Sequence, residues 1–108
     1  MNEPRVYECE DGWAALIVEC HERLSEIDPN YKILQIKEKF GGLRYYFTPS
    51  ESLDQSLVNQ MVKIASECEA RSFHICEICG NPGKLNSKLR WHKTLCEKHT
   101  EGRELRGE

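Results

Sequence analysis

Hydrophobic residues recur at the spacing of an amphipathic helix over residues 11–27 and again over residues 53–71. The apolar positions of the first stretch are Trp13, Leu16, Ile17, Cys20, Leu24 and Ile27. Those of the second are Leu53, Leu57, Met61, Ile64, Ala65 and Cys68. Asp11 is placed to cap the first helix, and Ser52 with Gln55 is placed to form a capping box on the second. The pattern therefore predicts two helices, each with one buried face.

Between these helices, β-branched and aromatic residues dominate on both sides of Gly41 and Gly42. Residues 31–40 and 43–48 are therefore predicted to form a β-hairpin that turns at the two glycines. We expect one face of the hairpin to cover the helices, and its members are Leu34, Ile36, Phe40, Leu43, Tyr45 and Phe47. The opposite, exposed face would carry Lys37, Lys39, Arg44 and Tyr46.

The C-terminal third contains two short-range pairs of metal ligands, Cys76 with Cys79 and Cys96 with His99, separated by sixteen residues. This spacing is typical of zinc fingers, because a two-residue spacer lets both side chains of a tight turn reach one ion. The sequence therefore predicts one Zn²⁺ bound by these four residues. Because four protein ligands leave no open coordination position, the zinc is expected to be structural rather than catalytic.

The arrangement of this finger has alternatives. His74 and His92 flank the segment, and either could replace His99 as the fourth ligand. Residues 84–93 are predicted to form a short hairpin between the two ligand pairs. If the second pair begins a short helix, the finger is a treble clef; if it lies on another turn, the finger is a zinc ribbon.

Three further cysteines, Cys9, Cys20 and Cys68, cannot all pair within the chain. Cys20 and Cys68 lie on the predicted apolar helix faces, where a free cysteine behaves as a small hydrophobic residue, so we expect both to be buried. The alternative is that Cys9, Cys20 and His21 form a second metal site or a nucleophile with its base. Adjacent residues on a helix point about 100° apart, which disfavours this alternative.

These elements predict an α+β fold in the order helix, β-hairpin, helix and C-terminal finger. A chain of 108 residues is about the size of one domain. Within this unit we distinguish residues 1–72, the finger at 73–99 and a polar tail at 100–108. Because the finger has few apolar residues, metal binding should supply most of its folding free energy. Chelation is then expected to unfold the finger and leave the rest folded, unless the finger packs into the same core.

Charge is unevenly distributed, although the net charge is only −3. Residues 1–30 carry eight acids and two bases, whereas residues 31–50 carry one acid and four bases. A pI near 5.8 argues against a protein held on DNA mainly by phosphate contacts. The longest apolar run is far shorter than the roughly 20 residues that span a bilayer, and the N-terminus lacks signal-peptide features. We therefore expect a soluble, cytoplasmic protein with no membrane partner.

Two surfaces are candidates for binding a macromolecule. Bases interleaved with aromatics in the hairpin, and an acid-free finger loop, favour nucleic acid. The bases concerned are Lys37, Lys39, Arg44, Lys84, Lys88, Arg90 and Lys93. The acidic face of the first helix, with Glu19, Glu22 and Glu26, would suit a basic protein surface. The favoured interpretation is nevertheless an ordinary one, in which the hairpin covers the core and the finger loop and the acidic helix face are solvated.

Motifs of catalysis are absent from the sequence. It contains no Gly-rich phosphate loop, no G-x-S-x-G, no H-E-x-x-H and no H-x-E paired with P-C-x-x-C. The finger also lacks the Asp-His pair of a treble-clef nuclease. We therefore expect the protein not to be an enzyme.

Several segments together resemble a group of small zinc-finger-containing proteins encoded by bacteriophages and prophages. They are Gly-Trp in an acidic helix, Ile-Lys-Glu-Lys-Phe-Gly-Gly-Leu-Arg-Tyr-Tyr, Cys-Glu-Ile-Cys-Gly-Asn-Pro-Gly and Thr-Leu-Cys-Glu-Lys-His. The resemblance covers nearly the whole chain and implies a phage origin and the zinc ligands Cys76, Cys79, Cys96 and His99. Small phage proteins of this kind often bind a host protein, including defence systems. The leading hypothesis is therefore a host-protein binder or inhibitor in the bacterial cytoplasm, and the alternative is a DNA- or RNA-binding zinc-finger protein.

Overall fold

The computed structural model describes residues 7–86 and 92–100. It contains the helices α1 (Ala14–Ile27), α2 (Gln55–Ser72) and α3 (Glu97–Thr100). The strands are β1 (Tyr7–Glu8), β2 (Lys32–Lys39), β3 (Gly42–Thr48), β4 (Lys84–Asn86) and β5 (Lys93–Leu95). The predicted α+β class is confirmed. Among the described helices, none has the length and apolar character required to cross a membrane.

Two small sheets organise the chain. The first has the order β1-β2-β3, with β1 parallel to β2 and β2 antiparallel to β3. The second is the antiparallel pair β4 and β5, which forms the short hairpin predicted within the finger. Strand β1 was not predicted, because two residues are too short to show a periodic pattern. Its pairing depends on β2, which lies about thirty residues further along the chain.

The register of β2 and β3 corrects one sequence expectation. Ile36 pairs with Tyr45, and both are buried as predicted. The pairing shifts at a β-bulge between Ile33 and Gln35. The bulge inserts Leu34 as an extra residue, so Ile33 packs against the core and Leu34 is exposed. The prediction that Leu34 faces the core is therefore wrong.

A second correction concerns Phe40 at the hairpin turn. Phe40 follows the last residue of β2 and has a left-handed backbone conformation with φ of 55°. The turn takes its side chain out of the strand alternation, and it is 64% exposed. The prediction that Phe40 joins the core face is wrong for this reason.

Both long helices begin later than predicted. Asp11 opens a short 3-10 helix, Asp11–Trp13, and α1 follows it at Ala14. Helix α2 begins at Gln55, with Asp54 in the N-cap position and no side-chain cap bond. The predicted capping box of Ser52 with Gln55 is therefore wrong. The backbone oxygen of Asp54 accepts the first amide hydrogen bonds of α2 instead.

The main core lies between the two long helices and one face of the first sheet. It comprises Trp13, Leu16, Ile17, Cys20, Leu24, Tyr31, Ile36, Leu43, Tyr45, Met61, Ile64 and Cys68. The predicted burial of Cys20 and Cys68 is confirmed. Their thiols share a hydrogen bond that, together with burial, raises the pKa of Cys20. Cys20 is thus a neutral core thiol.

Asp28 ties the end of α1 to the segment that follows β3. Its Oδ2 accepts the Ser50 N–H at 2.7 Å, and its Oδ1 accepts the Ser50 Oγ–H at 2.7 Å and the Asn30 N–H at 3.2 Å. The two bonds from Ser50, followed by that from Asn30, outweigh desolvation and lower the pKa of Asp28. The hydrogen bonds of the folded protein therefore stabilise the charged form of Asp28.

Replacing Asp28 by asparagine is expected to lower the free energy of unfolding at neutral pH. Because the pKa is lower in the folded state, the advantage of the native protein over Asp28→Asn is fully present above the unfolded-state pKa of roughly 3.9. It is lost as the pH falls through the lower folded-state pKa. Urea unfolding of both proteins between neutral and acidic pH measures this difference, with the exposed Glu51→Gln as control. A difference independent of pH would contradict the assignment.

Candidate metal centre

Cys76, Cys79, Cys96 and His99 come together in one cluster whose ligand atoms all lie within 4.8 Å of one another. The Sγ atoms of Cys79 and Cys96 are 3.7 Å apart, and the Sγ of Cys76 is 3.6 Å from Nδ1 of His99. A tetrahedral Zn²⁺ with ordinary bond lengths would set these two kinds of distance at about 3.8 Å and about 3.6 Å. The four residues could therefore hold a metal ion.

The first ligand pair lies on a tight turn after α2. The N–H of Cys76 donates to the oxygen of Asn81 at 2.7 Å, and the N–H of Gly80 donates to the oxygen of Cys76 at 2.9 Å. Gly80 has a φ of 84°, a backbone conformation that is unfavourable for residues other than glycine. These contacts form the turn predicted at residues 76–79 and direct the thiols of Cys76 and Cys79 to one point.

The second ligand pair spans the end of β5 and the short helix α3. Cys96 follows β5, and His99 lies in α3. The N–H and the Oγ–H of Thr100 both donate to the oxygen of Cys96, at 3.0 and 2.8 Å. The alternative ligands His74 and His92 are exposed and do not belong to the cluster.

Backbone amides favour the ionised form of Cys76. Burial raises the pKa of this thiol, but N–H groups of Cys96, Cys79 and Ile78 donate to its sulfur and lower the pKa to about 6. The thiolate is the form that binds metals. Cys76 is buried, whereas Cys79 lies at the surface. The centre therefore has one side in the protein and one side in solvent.

Glu77, within the first turn, is buried, with only 2% of its surface exposed. Its Oε2 accepts the N–H of Glu10 at 3.1 Å, and its own N–H donates to the oxygen of Thr94 at 2.9 Å. Sequence reasoning missed this residue, because a glutamate between two zinc ligands usually points to solvent. No sequence pattern identifies it, since its partners are distant in the chain.

Lys93 lies between two carboxylates and joins the turn to the first sheet. Its Nζ is 3.4 Å from Oε1 of Glu77 and 3.4 Å from Oε1 of Glu38. The other oxygen of Glu38 accepts the N–H of Gly41 at 2.7 Å. The predicted nucleic-acid contact Lys93 is thus engaged in ion pairs inside the protein.

The start of α1 also contacts the metal centre directly. The N–H of Gly12 donates to the oxygen of Glu77 at 2.5 Å, and Nε1 of Trp13 donates to the oxygen of Ile75 at 2.9 Å. A Cβ atom at Gly12 would lie 2.2 Å from the oxygen of Cys76, so only glycine permits this approach. The finger is therefore hydrogen-bonded to the 3-10 helix that precedes α1. On its other side it is joined to the hairpin through Lys93.

The remaining basic residues of the hairpin and the finger occupy different environments. Lys37 and Arg44 are cross-strand partners, and Nε of Arg44 is 3.6 Å from a carboxylate oxygen of Glu69 on α2. Lys39 and Lys84 are exposed. The other two predicted contacts, Lys88 and Arg90, lie outside the described residues.

The acidic residues of α1 divide into two groups. Glu19 forms an ion pair with Arg71 of α2. Glu22 and Glu26 are exposed, and neither forms an ion pair within the described ranges. Of the three acidic residues predicted to contact a partner, Glu22 and Glu26 are therefore exposed and lie outside the ion pairs of the described part of the chain.

The alternative second site at Cys9, Cys20 and His21 does not come together. Cys20 is hydrogen-bonded to the thiol of Cys68 on α2, and Nδ1 of His21 is hydrogen-bonded to the hydroxyl of Tyr31 at 2.6 Å. Burial, followed by the nearby acids, raises the pKa of Cys9 to about 11, so this thiol stays protonated. Across residues 7–86 and 92–100, one cluster of three or more potential metal ligands is present, at Cys76 and its partners.

Comparisons with protein-family models, with curated proteins and with solved structures each return no match. Function has therefore to be inferred from the residues and contacts of this chain.

Proposed function

We propose that this chain is a non-enzymatic, zinc-stabilised phage accessory protein that binds a host protein through helix α1. Three thiolates and one imidazole, with ligand atoms within 4.8 Å of one another, are a ligand set that Zn²⁺ prefers. Four protein ligands leave no position for water or substrate, which supports a structural role. The first pair on a turn and the second at a short helix support a treble-clef finger.

The observation that carries host-protein binding is a row of exposed side chains on α1. Val18, Glu22 and Glu26 are spaced four residues apart and so lie on one line along the helix. Val18 is 55% exposed, and both glutamates are exposed. This row (Val18, Glu22, Glu26) is the recognition row.

The neighbours of the recognition row are already engaged. Glu19 pairs with Arg71, and Nη2 of Arg23 is 2.9 Å from a carboxylate oxygen of Glu67. These two ion pairs hold α1 against α2 and turn the recognition row away from it. The free charge that remains on the outside of α1 is therefore negative.

A basic protein surface fits the recognition row. Two unpaired carboxylates would attract lysine or arginine side chains, and the exposed valine adds apolar contact area. The resemblance to phage proteins supports a protein of the bacterial host as the source of that surface. Inhibition of the partner would follow if the bound surface is the one that the partner uses for its own ligand.

The metal centre would support this function by holding the start of α1 in place. The turn that carries Cys76 accepts the N–H of Gly12 and the indole N–H of Trp13 through its backbone oxygens. Both donors lie just before α1. Zinc would thereby fix the first turn of the helix that makes the contact, which preorganises the recognition row and lowers the entropy lost on binding.

Affinity capture from bacterial lysate, with and without nuclease, tests the proposal, and the captured protein is then titrated against variants. The double substitution Glu22→Lys and Glu26→Lys is expected to weaken binding by roughly tenfold or more at low salt, mainly through slower association. The single variant Glu22→Lys should lose part of this affinity. Glu51→Lys makes the same charge change at an exposed residue outside α1 and should bind like the native protein.

Two results would exclude the proposed interaction. The first is that no stoichiometric protein survives nuclease treatment. The second is that charge reversal on α1 changes affinity no more than Glu51→Lys does. Circular dichroism of each variant confirms that the helices remain folded.

A further inference from the structure

A second exposed surface lies where the hairpin turn meets the finger. It consists of Lys39 and Phe40 at the turn, Lys84 and Leu85 in β4, and His92 beside β5, and we name it the hairpin-tip surface. Phe40 is 64% exposed and has a φ of 55°, a conformation that is rare for bulky residues. Exposing a large aromatic ring and straining its backbone are both unfavourable for folding alone, so such a residue indicates a binding role.

The surroundings of Phe40 hold the turn in place. The oxygen of Gly41 accepts the Oγ–H of Thr94 at 2.6 Å in a buried hydrogen bond, and the N–H of Gly41 donates to Glu38 at 2.7 Å. The side chain of Leu85 lies directly over Gly41, where a Cβ atom would approach it to 2.4 Å. Phe40 is therefore presented from a fixed backbone, which reduces the entropy cost of a contact made by its ring.

A lysine ammonium group lies close to the exposed ring. Nζ of Lys39 lies 5.9 Å from the centroid of the Phe40 ring, and the ring of His92 lies 6.3 Å from it. Lys84 is also exposed. The nearby carboxylate of Glu38 is engaged by Lys93 and by the turn amide. An aromatic platform bordered by ammonium groups fits a base with its phosphates.

The outer face of the hairpin extends this surface. Lys37 lies two residues before Lys39 in β2, and Tyr46 pairs with Gln35 two register positions beyond the pair of Lys37 and Arg44. Tyr46 is 41% exposed. Four residues of strand separate Tyr46 from the turn, a distance of about 13 Å. This length accommodates up to about four bases stacked 3.4 Å apart.

We propose that the hairpin-tip surface binds single-stranded nucleic acid. Phe40 stacks on one unpaired base, Lys39 and Lys84 contact phosphates, and Lys37 with Tyr46 extends the path along the hairpin. A base inside a duplex has no free face for this ring, so a single strand is preferred. This activity uses residues other than the recognition row and does not depend on host-protein binding.

Fluorescence anisotropy with labelled oligo-dT and oligo-rU tests this proposal on the zinc-loaded full chain. With three lysines on phosphates, affinity for a single strand should fall about 20-fold when salt rises from about 50 to about 200 mM. Phe40→Leu keeps an apolar side chain but removes the stacking platform, and it should weaken binding by about tenfold. A preference for dT or rU identifies the kind of strand, and both results support the proposal.

Val62→Ala is the control, because Val62 is an apolar residue that is 52% exposed on α2 and does not belong to the hairpin-tip surface. It should bind like the native protein. The proposal is overturned if neither oligonucleotide binds at low salt. It is equally overturned if Phe40→Leu and Val62→Ala bind alike, or if a duplex of the same length binds as tightly as a single strand. Near-UV circular dichroism and zinc content show that each variant has kept its finger.

Discussion

Removing the proposed zinc from the centre at Cys76, Cys79, Cys96 and His99 is expected to destabilise the entire chain, not the finger alone. Metal binding to small zinc fingers contributes about 10–16 kcal/mol, and without it three thiols lose their common ligand. Residues 73–99 should then unfold. The sequence predicts that the effect ends there unless the finger packs into the same core as the helices.

The contacts between the finger and the rest of the chain extend the effect. Hydrogen bonds from Gly12 and Trp13 end on the turn, and one from Thr94 ends on Gly41. Glu77 accepts a hydrogen bond from the N–H of Glu10, and Lys93, which pairs with Glu77, also pairs with Glu38 of the hairpin. At about 1 kcal/mol for each hydrogen bond, their loss would remove roughly 3–5 kcal/mol from the helices and hairpin.

Thermal melts and hydrogen exchange with and without a chelator measure this coupling. The midpoint should fall by roughly 10–20 °C or more, as one transition. Exchange should increase in the finger, at residues 10–13 and at residues 38–43. Readdition of Zn²⁺ should restore protection, whereas Mg²⁺ should not, because thiolates and imidazole suit zinc. Unchanged protection at residues 10–13 and 38–43 would show that the finger unfolds independently.

Replacing Gly12 by alanine is expected to cause the largest loss of stability from adding a single methyl group. The new Cβ would lie 2.2 Å from the oxygen of Cys76 and 2.3 Å from that of Glu77. Both are backbone atoms of the metal-binding turn, which cannot move without disturbing the ligands. Either the start of α1 or the turn must shift, and the hydrogen bonds of Gly12 and Trp13 are then lost.

Overpacking and two broken hydrogen bonds together predict a loss of about 3 kcal/mol. Urea unfolding of the zinc-loaded protein measures it, and competition with a chromogenic chelator should show weaker zinc binding by the same variant. Ala15→Ser adds one heavy atom to an exposed residue of α1, three positions from Gly12, and should change stability by less than about 0.5 kcal/mol. Equal stability of Gly12→Ala and Ala15→Ser would mean that α1 and the turn do not meet in solution.

The features that depend on residues close together in the sequence, namely the two long helices, the hairpin turn and the ligand pairs, were predicted well. The apolar repeat placed α1 and α2 to within a few residues, and paired glycines placed the hairpin turn. The ligand set followed from two short spacings, since residues separated by two positions on a tight turn must point the same way. In each case the information lies within a few neighbouring residues.

The misplaced residues depend on irregular backbone. Leu34 is exposed because a bulge interrupts the alternation, and Phe40 is exposed because the turn is left-handed. A two-residue period cannot show an inserted residue. Phe40 therefore looked like a core residue, although it carries the strongest signal for a binding surface in the described part of the chain.

The sequence by itself predicts an α+β protein with a Cys₃His ligand set, because periodicity and ligand spacing are local properties. How the finger is joined to the helices depends on residues more than fifty positions apart. Gly12 fits against the metal-binding turn, Glu77 is buried, and Lys93 is held between carboxylates, all through contacts that no spacing rule anticipates. Which charges stay free for a partner follows from the same packing, because an ion pair forms only where the fold brings both groups together.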